Sequence, residues 1–221
     1  AASDVYKRQE LITASSRELA TELTAYDEKM LSVFEYLGLP TNNILVKVDE
    51  RRKVFKNIED VLEPLSSETL ETSTYISKFL SAVSAGLFDA ALNYLWDETV
   101  SQLRFRVSQY DIQYFFDLAV TSDKRTKLST EDDLVKIDDS ELIQGAKEIG
   151  LISDIGYRLL DNIKFMRNWA SAAHPNQVEL TGLQLIDWLE TCIKEVISLP
   201  LSNLTIQIGK LLRNIKTNTL D

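Results

Sequence analysis

The sequence is poor in the residues that interrupt, cross-link or metallate a chain: its 221 residues include 7 Gly, 4 Pro, 1 Cys and 1 His. So few turn formers favour a mostly helical chain over a sheet-rich one. A single cysteine, Cys192, excludes an intramolecular disulfide and fits a reducing, cytoplasmic setting. With one histidine and one cysteine, the usual nitrogen and sulfur ligand sets for zinc cannot be assembled within one chain, and neither metal nor cofactor is implied. No apolar run approaches the length that spans a bilayer, and no charged-then-apolar signal pattern is seen, so no membrane partner is expected. Positive charge is also short: Lys and Arg total 24 against 34 Asp and Glu, a net charge of −10. The deficit lies wholly in residues 1–152, which hold 17 basic and 27 acidic side chains, while residues 153–221 hold 7 of each. A broadly acidic surface repels a polyanion, which excludes a general nucleic-acid coater but leaves room for chemistry at a small local site.

What is present is helical periodicity. Leu19, Leu23, Met30, Val33 and Leu37 recur at helical spacing until Gly38 and Pro40 stop the pattern. A basic-rich helix is expected over 46–62. Another, opened by Ser66, Ser67 and Glu68, is expected to run to about residue 84, where Gly86 breaks it. The stretch 87–110 continues as a long amphipathic helix, followed by a short aromatic segment at 111–120. Residues 121–140 are the most polar and read as a solvated surface loop with one short helical turn. Helix resumes from Asp139 or Ser140 to about Ile149. Ser153 then caps a helix running to His174, because Pro175 pushes the residue before it out of helical geometry. Thr181 caps the next helix, with Leu185, Ile186, Leu189, Ile193, Val196 and Ile197 as its apolar face. A last helix is expected over 202–216. The architecture is an all-α bundle.

The only histidine closes the string Arg167-Asn168-Trp169-Ala170-Ser171-Ala172-Ala173-His174-Pro175. On an α-helix a step of seven residues advances about 700°, so Arg167 and His174 share one line, with Ser171 between them. Leu159, Leu160, Ile163 and Met166 are expected to pack the helix, leaving Arg167, Ser171 and His174 as a polar row among small residues. Histidine is the side chain whose ordinary pKa lies nearest neutrality, and arginine supplies a permanent charge in a fork that fits a phosphate. The plainer alternative is an arginine bridged to a neighbouring helix and a histidine capping the last carbonyls.

Arg167-Asn168 followed by His174 resembles the Arg-x4–6-His signature of HEPN superfamily ribonucleases, in which a polar residue often follows the arginine. The resemblance covers the second half of the chain best, with the helix over 87–110 as a facing element. It implies a HEPN-type helical bundle with additional N-terminal helices: a leader at 1–9 (non-native or disordered), a helical segment at 10–65, the bundle at 66–200, and a C-terminal helix at 201–221. It also implies a homodimer in which two motif helices meet, and metal-independent RNA cleavage of the toxin–antitoxin, abortive-infection or CRISPR-associated type. An antitoxin or defence-system partner would accompany such an enzyme. On that resemblance Arg167, Asn168 and His174 are the catalytic residues, while helix geometry adds Ser171 and Lys164 as RNA-binding candidates. The competing class is a non-catalytic HEPN-like module binding RNA, a nucleotide or a partner protein.

Other features read more simply. Arg104 and Arg106 are taken as surface charges, and Asp97 and Glu98 as a solvated acidic pair with a possible role beside Arg167. Lys164 is taken as lying on a solvated face. Tyr110, Tyr114, Phe115, Phe116 and Cys192 are taken as core, and Trp169 and Trp188 as core or dimer interface.

Overall fold

The computed structural model describes residues 16–170 and 179–199, and among these there is helix and turn but no strand. The elements are α1 (Ser16–Tyr36), α2 (Val48–Leu62), α3 (Ser67–Thr72), α4 (Thr74–Ser84), α5 (Phe88–Ser108), α6 (Ile112–Ala119) and α7 (Ser122–Arg125). A 3-10 turn, Glu131–Lys136, leads into α8 (Asp139–Glu148), α9 (Asp154–Ala170) and α10 (Gly182–Cys192), which finishes in a π-helical turn, Ile193–Ile197. The all-α expectation holds.

The bundle is arranged around α5. Phe88, Leu92, Leu95, Trp96, Val100, Leu103 and Val107 are all buried along its length, and it packs against α4, α6, α8, α9, α10 and the π turn. A helix covered on nearly all sides is what a central core element requires. On the far side of α10, α2 packs through Val54, Ile58 and Val61, with α1 laid outside it. Helix starts are fixed by side-chain caps. Asp111 accepts from the amides of Gln113 and Tyr114, while Asp138 with Glu141 and Thr181 with Gln184 form capping boxes.

Two local expectations are corrected. The helix expected to run from residue 66 to about 84 is broken at Ser73, whose hydroxyl accepts from the Ile76 amide and donates to buried Glu98 at 2.8 Å. The side chain that caps α4 therefore ends α3, since a serine that bonds its own backbone competes with the helix ladder. The polar stretch 121–140 is no solvated loop: Leu128, Leu134 and Ile137 are buried, and Arg125 bonds Asp117, Gln113 and the Leu128 carbonyl. Three well-spaced apolar residues suffice to anchor it, whatever the charge around them.

Candidate functional site

The helix α9 begins as expected, with the Ser153 hydroxyl accepting from the Gly156 amide at 2.9 Å. Its buried stripe is Gly156, Leu160 and Ile163. Steps of four, three and four residues carry that stripe directly onto Arg167, which therefore points inward with the packing residues. The polar row expected to stand apart from the core is a continuation of it. Leu159, expected to pack, is 41% exposed, on the outer face with Ile155 and Phe165.

Three elements meet at Arg167. Its Nη2 donates to Asp139 Oδ2 at 2.7 Å, at the start of α8. The Trp96 indole N–H, from α5, donates to that same oxygen at 2.7 Å. The guanidinium lies 5.8 Å from the centre of the Trp96 ring, within cation–π range. One carboxylate oxygen thus ties together the arginine and the indole beneath it. The Arg167 side chain keeps 25% exposure and its Nε is buried without a hydrogen-bond partner.

The surrounding charges follow from this arrangement. Asp97, next to Trp96, has its pKa raised above the ordinary aspartate value: desolvation is the largest cause, Arg167 opposes it, and Asp139 adds to it. Lys164, one turn before Arg167, donates to Ser140 Oγ at 2.8 Å and pairs with Asp161 at 2.8 Å. Its side chain is largely covered, which corrects the solvated face expected for it. Asn168 is exposed beside Arg167. Ser171 and His174 lie outside the described residues, as do Pro175 and the helix expected over 202–216.

Several side chains stand where composition alone did not put them. Glu98 is buried and accepts from Ser73 and Gln102, so Asp97 and Glu98 are not a solvated pair. Arg106 is buried too: its Nη2 donates to the Ile197 carbonyl at 2.8 Å, and desolvation lowers its pKa. Its role is to satisfy a helix end, where carbonyls lack partners. The Tyr110, Phe115 and Phe116 rings are core, as is Trp188, while Trp169 is half-buried and rests 5.7 Å from Phe165.

Asp139 is the residue that sequence reasoning treated only as a helix start. One signal for it was present. A helix opened by Asp138-Asp139 uses only the first as its cap, leaving a second carboxylate without a local task. Among the described residues, no group of three or more His, Cys, Asp or Glu side chains converges as a metal site. Comparison with family models, curated proteins and solved structures finds no match to this chain.

Proposed function

We propose that the protein is a metal-independent endoribonuclease of HEPN type, acting as a homodimer in defence or as a toxin. His174 serves as the general base on the RNA 2′-hydroxyl or as the acid on the 5′-oxygen leaving group, and two copies in a dimer divide these tasks. Arg167 offsets the charge that grows on the pentacoordinate phosphate, and Asn168 orients Arg167 or the phosphate through its amide. The products are a 2′,3′-cyclic phosphate and a 5′-hydroxyl.

The observation that carries this reading is the setting of Arg167. Late in α9, its guanidinium is braced by Trp96 and Asp139 yet still 25% exposed, with exposed Asn168 beside it. A surface arginine with no such bracing would argue for a solvated charge. The dimer draws support from an apolar outer face on the same helix, where Ile155 is 73% and Phe165 52% exposed. A second reading, a non-catalytic module binding RNA, a nucleotide or a protein, is favoured by the Arg167–Asp139 pair, because a charge already matched is less available to a phosphate.

The two readings separate in one assay: purified protein on mixed RNA with chelator present, beside Arg167→Ala and His174→Ala. The endoribonuclease reading expects cleavage by the wild type, and a fall of at least ~1,000-fold in each variant at unchanged thermal stability, a loss typical of removing an essential group. Cleavage that survives in both variants, or that needs added metal, overturns it.

A further inference from the structure

We propose that Asp139, itself fixed by the Trp96 indole N–H, is the positioning residue that sets the angle at which Arg167 meets an RNA phosphate. The inference rests on the reading of Arg167 as the phosphate-contacting group and goes beyond it to the residues that aim it.

The geometry is a closed triangle drawn from three parts of the chain. Trp96 comes from the central helix, Asp139 from the first turn of α8 and Arg167 from the last turn of α9. Each corner touches the other two: arginine to carboxylate, indole N–H to carboxylate, and arginine over the indole ring. An arginine on an unbraced helix end samples many rotamers, and ordering it on substrate costs free energy at the moment of reaction. Here that ordering is complete beforehand. Packing against Trp96 fixes the plane of the guanidinium, and the single bond from Nη2 fixes its rotation within that plane. Placement of a reacting group to within about 1 Å is what orientation contributes to rate, and misplacement by that much can cost about 100-fold.

Two further facts argue that the triangle is a mount rather than an ordinary ion pair. The carboxylate oxygen that holds Arg167 is also the one that Trp96 holds, so Asp139 cannot follow the arginine into solvent without losing the indole bond. The Asp97 carboxylate lies within electrostatic reach of both Arg167 and Asp139, and is the group that would draw the guanidinium away if Asp139 were removed. The mount selects one of two acidic partners for the arginine.

The test compares single-turnover cleavage and binding of a 2′-O-methyl RNA, which lacks the nucleophile, by the wild type, Asp139→Asn, Asp139→Ala and Trp96→Phe. The expected result is a kcat about 100-fold lower for Asp139→Ala and about 10-fold lower for Asp139→Asn and Trp96→Phe, with KM within a factor of about three. Asp139→Asn keeps the shape and an acceptor oxygen, so it reports on the mount even if Asp139→Ala fails to fold. In an Arg167→Ala background the same Asp139→Asn change is expected to leave 2′-O-methyl RNA affinity unaltered, since a residue acting through Arg167 has nothing left to aim. Cleavage that Arg167→Ala abolishes but all three mount variants retain overturns the positioning role alone. An affinity loss from Asp139→Asn that persists without Arg167 also overturns it, in favour of a purely structural role. Absence of cleavage by the wild type overturns the ribonuclease reading and this inference with it.

Discussion

Four arginines show how far one side chain's work depends on where it lands. Arg51, in a helix that composition marks merely as basic, is wholly buried. It donates to both oxygens of Asp27, at 2.9 and 2.6 Å, and to the carbonyls of Val46 and Ser84. Arg106 has a carbonyl to satisfy, Arg125 stitches a polar segment together, and Arg167 sits half-open on an indole. The Arg51 guanidinium is covered closely by Gly86, where an added Cβ would lie 2.6 Å from Nη2 and where φ is +74°. Gly86→Ala therefore carries both left-handed backbone strain of about 1 kcal/mol and displacement of a buried ion pair. A loss of at least about 2 kcal/mol is expected in urea unfolding, and a loss below 0.5 would show that Arg51 is not confined there. Cys192, fully buried, has its thiol pKa pushed up to about 12 by desolvation, with a hydrogen bond involving Thr99 opposing this. Thiolate is the reactive form, so an alkylating reagent at neutral pH is expected to label this residue only as fast as the protein unfolds. Rapid labelling of native protein would contradict the burial.

At the scale of the element, α1 is the part most easily detached. Leu23 is its one buried hydrophobic residue among those described, and the Asp27–Arg51 pair is its strong polar tie to α2. Breaking a buried pair by removing one partner typically costs about 3–5 kcal/mol, because the other charge stays buried. Asp27→Ala is expected to cost about that much and to strip hydrogen-exchange protection from α1 first, with α5 and α10 protected until global unfolding. Simultaneous loss of protection across all helices would mean α1 is integral to the core. The same scale shows what was legible in the sequence. Helix starts at Ser153 and Thr181, the stop at Gly86 and the apolar face of α10 could be read because caps, stops and periodicity are local. The break at Ser73 depends on a glutamate 25 residues away, and the order in 121–140 depends on three buried apolar side chains that a charge count obscures. At the candidate site Arg167 and Asn168 were legible from spacing. Asp139 was not, because its partners lie 28 and 43 residues distant in sequence.

For the whole molecule, the contact between α2 and α10 matters most. Glu50 accepts from the Gly182 amide at 2.9 Å and from Lys53, and a side chain at Gly182 would collide with the Glu50 carbonyl. The bond to Lys53, then that to Gly182, holds the Glu50 pKa below the ordinary glutamate value. A folded-state pKa depressed in this way gives stability that is full above the unfolded value of about 4.3 and is lost as pH falls through the folded one. Glu50→Gln is therefore expected to be less stable than the wild type at pH 7, and the gap between them should close toward pH 3. A gap that stays constant with pH would remove ionisation from the account. Gly182→Ala tests the close approach itself and is expected to loosen the packing of α2 on α10 even at neutral pH.

That same contact joins residues 132 positions apart, which bears on the order of events during synthesis. At about 5–20 residues per second, the apolar stripe of α2 leaves the ribosome many seconds before the helix that covers it exists. Val54, Ile58 and Val61 wait uncovered through most of translation, while α4 and α5, close neighbours in the chain, can pair as they emerge. The protein thus completes its core from the middle outward, and its early-made second helix is the surface a chaperone would meet first.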